Sequence, residues 1–485
     1  MTTNPRPPVE LPTEVSVIKV GLPLYADALH EQGVPVQPVD WRIPAGGDLE
    51  LVAALEELYG PRSDAIETAN AEVVRRLDQG VPQLVDVAPA ATVLSGLPER
   101  TLLHCGPAVD WTDVGNPLRR SMRAAAVAES WAADVEAADR LLAEGAIRLE
   151  PAYRYDTVVP MASAIGASAP LLIVDNTAGD TRAFAPVNQG PGDTAWFGRD
   201  TPAAIERLIF LRQIAGPMIR AVVQATGPID LWALAAQGVQ IGDDIHMRTQ
   251  GTTSLLVRSI LPALAALPDD GRVEFARFLA GNHMFFLNLA MAAAKSVALW
   301  AEQVTGSSIV TTMCRNGTTY GIRLAGSDEM FLSPAPPIAD ALYYGDHGPE
   351  SAAKDIGDSA ILELVGLGGA AAAGSPAVAG FVGGTMADAV AITEQMASIC
   401  AGRSSRFKLP TWGNAGTPLG VDVRRVVETA TTPRITTGVL HVSSGVGQIG
   451  AGVATAPAEC FQDALRALAV HRSTVPAGRR ALHPS

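Results

Sequence analysis

The segment RITTGVLHVSSGVGQIGAGVATAPAECFQDALRALAV, residues 434–470, joins a β-branched apolar run (435–442) to an amphipathic helix pattern (460–470). Between them stands a literal G-x-G-x-x-G, Gly445, Gly447 and Gly450. A dinucleotide site needs this motif at the turn of a βαβ unit, with a second strand ending in an acidic residue about 20 positions on. One helix follows and no second strand pattern does, so context argues against a nucleotide. Two readings stay open: a packing turn, or glycines that let backbone N–H groups approach a small anion or a carbonyl oxygen.

Upstream, strand patterns at 308–312, 320–324 and 330–332 and a helix at 386–399 give an expected α/β domain over 306–472. The stretch between Glu363 and Asp388 has no charge but carries seven glycines and the Ser375-Pro376 break. It reads as a buried glycine-rich helix or turn, not a membrane span, because a span needs an unbroken apolar helix of about 20 residues. Residues 203–225, 231–238, 254–265, 273–279 and 285–304 all fit a 3.6-residue period, predicting an all-helical module over 201–305. Strands at 84–87, 101–104 and 171–175 with helices at 65–78 and 124–143 predict an α/β domain over 61–200. Strands 15–20 and 34–39, with helices 24–32 and 49–59, make a small extra module at 15–60. Residues 1–14 and 473–485 read as a disordered start and a flexible tail. The expected fold class is thus mixed α/β (α+β) and multidomain: α/β, then helical, then α/β with glycine-rich loops.

The 485 residues are 48% apolar and carry a net charge of −14. That balance, with no Lys/Arg run, argues against a nucleic-acid face. Only four of the 36 basic residues are lysines, so arginine abundance is partly compositional. Cys105, Cys314, Cys400 and Cys460 stand singly, without C-x-x-C or His/Cys ligand spacing, so neither a disulfide framework nor a metal site is expected. The polar, Pro-rich start lacks an apolar signal core, which makes the cytoplasm the expected compartment.

Four clusters carry candidate chemistry. Gly242-Asp243-Asp244-Ile245-His246-Met247-Arg248 packs two carboxylates, an imidazole and a guanidinium into seven residues. It reads either as a helix cap with a solvated turn, or as a proton-handling His246 held by Asp243 beside an anion-gripping Arg248. Cys314-Arg315-Asn316-Gly317 contains a strong turn signal, yet Arg315 and Asn316 also suit recognition of an amide and its neighbouring charge. Asp422-Val423-Arg424-Arg425 with Glu428 is either an i, i+4 pair or a binding arginine, and Thr436, Thr437, Gly438 and His441 follow it. The glycine motif, Gly445, Gly447 and Gly450, is the fourth.

Taken together, "LLHCGPAVDWTDVGNPLRRSMRAAAVAESWA", "QGVQIGDDIHMRT", "FFLNLAMAAAK", "SIVTTMCRNG", "GDSAI", "DVRRVVETATTPRITTG" and "GVGQIGAGVATAP" resemble the AllG (YlbE-like) family over about residues 65–470. The segment "IKVGLPLYADALHEQGVPVQPVDWRIPAGGD" resembles one near the end of FdrA-like subunits. The resemblance implies a subunit of a carbamoyltransferase acting on an N-carbamoyl amide acid of the oxamate/oxalurate type, with phosphate or carbamoyl phosphate, in allantoin breakdown. It implies FdrA-like and YlbF-like partner subunits in an oligomer, and its chemistry requires no cofactor or metal; the composition and the broken apolar stretch already argue against a nucleic-acid or membrane partner. Under it, Arg248, Arg315 and Arg424 are candidate clamps for carboxylate and phosphate. Asn316 or the N–H groups of Gly445, Gly447 and Gly450 would stabilise an oxyanion, and Asp243, His246 and His441 would handle protons. The alternatives are a non-catalytic assembly or gating subunit, and a CoA-dependent acyltransferase subunit.

Overall fold

The computed structural model describes residues 17–20, 24–39, 43–268, 270–381, 384–443 and 445–470. The expected terminal segments 1–14 and 473–485 lie outside the described residues. The mixed helix-and-sheet class holds, with the strands distributed over several small sheets among the described residues.

The strand Pro170–Asn176 reads PLLIVDN and is buried over Leu171–Val174. It pairs antiparallel with Pro82–Pro89 on one side and Thr181–Pro186 on the other, and Ile229–Asp230 adds a short edge. The helix Phe285–Ala301 packs on strands Pro170–Asn176 and Thr181–Pro186. Its sequence is apolar all round, and an all-apolar helix is stable only when covered on every side. Every residue from Phe285 to Ala298 is accordingly buried, Lys295 included. Lys295 reaches Glu302 at 3.3 Å, and Glu302 also takes Arg323 at 2.7 Å, so this buried charge is compensated.

Strands Thr101–His104 and Arg148–Pro151 pair in parallel, with Ala164–Ile165 antiparallel beside them. The helix expected over 124–143 is in fact two, Asn116–Ala128 and Val135–Ala143. Ser130 takes a φ of +60° at the break. Glu129 turns aside to accept from the Ser168 N–H and hydroxyl, and Asp134 caps the second helix through the Ala137 N–H.

Further along, Val310–Asn316 pairs antiparallel with Thr319–Leu324 and with the short Ile356–Gly357. The strand Arg434–Leu440 forms an antiparallel hairpin with Gln448–Thr455, which in turn pairs with Asp340–Tyr343. This second hairpin strand was not foreseen. Its sequence, QIGAGVAT, is poor in the bulky residues that mark strands, and it is held by its two neighbours. Gly450 is therefore a strand residue facing Val439 and Tyr343, and a Cβ there would stand 2.6 Å from the Leu342 carbonyl oxygen. The glycine motif closes a hairpin, which rules out the βαβ geometry a dinucleotide site needs.

Residues 361–374 form a short helix, Ile361–Leu364, and the tight turns of Gly368–Gly374, all buried. The helical run Pro202–Thr226 is long and apolar enough to cross a membrane, yet only a third of its most apolar window is buried. Its buried positions Leu211, Ala215, Ile219, Val222 and Val223 follow one face, while Glu206, Gln213, Arg220 and Gln224 are exposed on the other. That is the pattern of an amphipathic helix lying on a protein core.

Candidate functional site

Three of the four sequence clusters meet around the strand Arg434–Leu440. On one face, the Thr436 hydroxyl donates to Asp244 Oδ2 at 2.8 Å, and its N–H donates to Glu363 Oε1 at 3.2 Å. Glu363 Oε1 also lies 2.8 Å from His246 Nδ1 and accepts from the Gly369 N–H at 3.2 Å. Asp244 closes its own turn by accepting from the Met247 and Arg248 N–H groups, and its carbonyl takes the Gly368 N–H at 2.7 Å. Gly368 is glycine of necessity: its φ is +59°, and a Cβ would come 2.0 Å from Glu363 Oε1.

On the other face, the Thr437 hydroxyl donates to Asp355 Oδ1 at 3.0 Å. Asp355 Oδ2 accepts Arg315 Nε at 2.7 Å, and the same guanidinium donates to the Gly357 carbonyl and the Ser359 hydroxyl. Burial pulls the Arg315 pKa down, but Asp355 outweighs it, and the guanidinium stays charged above its ordinary range. Asp358 accepts from the Gly106 and Val159 N–H groups, tying three segments together. Its burial nonetheless pushes its pKa up to about 7. Burial likewise drives the Cys105 thiol well above its ordinary range, so that thiol is inert.

Beside this network lies a cavity of about 370 Å³, walled by Asp193, Trp196, Arg199, His283, Tyr344 and Gln448 among others. The loop between the hairpin strands forms one side: Val446 lines the cavity, and its carbonyl accepts Arg199 NH1 at 2.8 Å. The cavity is joined to the His246 turn, because the Thr249 hydroxyl donates to the His283 carbonyl at 3.0 Å. It also touches the central strand, since a Cβ on Gly438 would stand 3.2 Å from Gln448 Nε2.

The structure does not bring all the predicted site residues together. Asp243, read as the partner of His246, instead caps the helix Gln250–Ala266 by accepting from the Gly251 and Thr252 N–H groups and the Thr252 hydroxyl. The carboxylate that holds His246 is Glu363. Arg424 is 1% exposed, bonded to Asp422 and Glu67 and stacked over Tyr59. Arg315 is 0% exposed and saturated as described. Of the three, only Arg248 keeps an accessible guanidinium, 35% exposed and 3.4 Å from Asp243. Asn316 folds its own turn, accepting from the Thr318 and Thr319 N–H groups and donating to the Pro107 carbonyl. His441 packs edge-on to His347 at 5.5 Å, and burial followed by that neighbour lowers its pKa. Gly445 and Gly447 have φ of +63° and +102°, and Gly445 abuts the Arg120 guanidinium.

Sequence reasoning missed Glu363 and the cavity residues Arg199, His283 and Gln448. Glu363 had one signal, its position as the last charge before a glycine-rich uncharged stretch. Among the described residues, no three His, Cys, Asp or Glu side chains gather as a metal site would require.

The family model for oxamate carbamoyltransferase subunit AllG matches residues 147–359. The AllG protein of Escherichia coli (strain K12), an oxamate carbamoyltransferase subunit by name, is 38% identical over 410 residues, 84% of this chain and 98% of that protein. The chain belongs to the AllG family. A second relative from the same organism, the uncharacterized protein YahG, is 33% identical over 93% of this chain and 96% of its own length. The crystal structure of a conserved protein of unknown function from Enterococcus faecalis V583 superposes with a TM-score of 0.81 at 33% identity, covering 83% of this chain and 97% of that one. The AllG model's span includes the His246 turn and Arg315, while Glu363 and Thr436, which complete the site, lie downstream of it.

Proposed function

We propose that this chain is a subunit of a carbamoyltransferase, acting in the cytoplasm on a small N-carbamoyl amide acid of the oxamate/oxalurate class together with phosphate. FdrA-like and YlbF-like subunits are its proposed partners. The observation that carries the reading is the 38% identity sustained over 98% of a relative named as an oxamate carbamoyltransferase subunit.

In this reaction a phosphate oxygen bonds the carbamoyl carbon while the bond from that carbon to the amide-acid nitrogen breaks. The proton of the phosphate ends on that nitrogen, leaving carbamoyl phosphate and the amide acid. The cavity beside the hairpin loop is the proposed substrate pocket. Arg199 in its wall and Arg248 on the turn behind His283 supply the anion contacts. The N–H groups of Gly445 and Gly447 are proposed to face the oxyanion that forms at the carbamoyl carbon. His246 handles the proton, with His441 at the loop as the second candidate. Arg315, Asn316, Arg424, Asp243 and Gly450 support this arrangement through the scaffold and do not touch substrate.

The second reading, a non-catalytic assembly or gating subunit, is favoured by the burial of His246 and Glu363, at 2% and 0% exposure. One assay separates the two. The complex reconstituted with its partner subunits should release amide acid from an N-carbamoyl substrate only when phosphate is present, and Arg199→Met should cut that turnover at least tenfold. Turnover without phosphate, or no turnover with any ureido acid, contradicts the first reading. Full turnover in the Arg199→Met complex supports the second.

A further inference from the structure

Glu363 is a fully buried carboxylate with an uneven set of partners. Its Oε1 takes His246 Nδ1, the Gly369 N–H and the Thr436 N–H, while Oε2 has no hydrogen-bond partner among the described residues. A carboxylate at 0% exposure with one oxygen unsatisfied is costly to bury, so the donors gathered on Oε1, the imidazole N–H among them, are what holds it in place. The chain is shaped to keep the two groups in contact. The Gly368 turn leaves no room for a side chain over Glu363 Oε1, and the Cβ it lacks would also stand 3.2 Å from His246 Nδ1. Asp244, two residues before His246, is fastened to the same strand residue, Thr436, that donates to Glu363. His246 is therefore held from both sides of one threonine.

We infer that Glu363 is the positioning residue for His246. It accepts the Nδ1 proton, fixes the imidazole in the Nδ1–H tautomer, and leaves Nε2 as the ring atom that takes or gives the proton moved during group transfer. This deepens the carbamoyl-transfer reading and rests on it for the identity of the proton's destination, the leaving amide nitrogen. When Nε2 takes that proton in transit the ring becomes a cation beside the Glu363 carboxylate, and when it passes the proton on, the neutral Nδ1–H form returns. No group outside the dyad and the substrates is needed for the balance.

The experiment has two arms. In the first, the full-length chain is labelled with 15N in its histidine rings, and the His246 signals are assigned by their loss in His246→Gln. The inference predicts a protonated Nδ1 and a bare Nε2 in the neutral ring. It predicts that Glu363→Leu allows the other tautomer to appear. A neutral ring with its proton on Nε2 and a bare Nδ1 in the unsubstituted protein overturns the inference, whatever the reaction proves to be. In the second arm, the reconstituted complex is assayed for phosphate-dependent carbamoyl transfer. Glu363→Gln and His246→Gln should each lower kcat at least tenfold with KM little changed, and the double variant should be no slower than the worse single one. Independent, multiplying losses, or a rise in KM with kcat intact, mean that Glu363 is only structural. Absence of turnover in the unsubstituted complex counts against the carbamoyl reading, while the tautomer measurement still decides the dyad.

Discussion

Replacing Thr436 by valine removes one hydroxyl from the strand at the centre of the site and changes little else. Valine matches threonine in shape and in its preference for extended backbone, so no cavity opens and the strand is not weakened. The N–H bond to Glu363 survives. What goes is the 2.8 Å bond from the hydroxyl to Asp244 Oδ2, at a residue with 0% exposure. A hydrogen bond to a charged group contributes about 1.5–3 kcal/mol, and at 0% exposure bulk water does not reach Thr436 to replace this one. Thr436→Val should therefore cost about that much, read as a lower urea midpoint with an unchanged slope. A cycle with Asp244→Asn should show a coupling of about 1 kcal/mol or more between the two positions. A loss within about 0.5 kcal/mol of zero, with no coupling, would refute the claim that Thr436 fastens the His246 turn to the strand.

Other consequences follow from the same contacts. Asp358 has a folded-state pKa of about 7 against an ordinary 3.8, so the folded chain binds this proton more tightly than the unfolded one. Its contribution to stability is then lost as pH rises between about 4 and 7. Unfolding followed from pH 5 to 8 should show the native chain losing stability relative to Asp358→Asn, and parallel curves would contradict this. Gly368→Ala forces a left-handed alanine into the Glu363 carboxylate, so it should cost well over the ~1–2 kcal/mol of the backbone strain alone. Gly317→Ala, with a φ of +83° but only an Ile356 methyl 3.5 Å away, should lose little more than that strain, and equal losses at the two sites would be the wrong result. Arg424→Met strands buried Asp422 and should cost about 3–5 kcal/mol, measured by denaturation. Arg248→Met should leave stability within about 1 kcal/mol, since buried Asp243 keeps the Gly251 and Thr252 N–H groups and the Thr252 hydroxyl as partners, and should lower turnover instead.

The element types read most clearly where the pattern was strong and local. The short strand at 101–104 and the helix at 49–59 coincide with Thr101–His104 and Leu49–Tyr59, the first a short run buried throughout and the second a helix whose buried positions, Leu51, Ala54, Leu55 and Leu58, repeat at the helical period. The strands Cys400–Leu409, Ala415–Val421 and Gln448–Thr455 were missed, since glycine-rich or charged segments become strands only through the neighbours they pair with. The same holds for the site. The His246 turn stood out as a dense run of polar residues, but its partners Glu363 and Thr436 lie 117 and 190 positions away, at separations only the fold can close. Arg315 and Arg424 looked like ligand clamps because charge is legible in sequence, whereas the carboxylates that occupy them, Asp355 and Glu67, come from other elements. Arg199 gave no signal, being a single residue that matters only as a wall of one cavity. The strand–helix–strand order near the start was legible, and Val17–Val20 pairs in parallel with Val36–Val39 across the helix Leu24–Glu31.

The most direct test of the account is a crystal structure of the full chain grown with phosphate and an N-carbamoyl amide acid. The expected result is an anion inside the cavity, within hydrogen-bonding distance of the Arg199 guanidinium and beside Val446 and Gln448. An empty cavity, with the anion held at Arg120 and Arg123 or elsewhere on the surface, would contradict it.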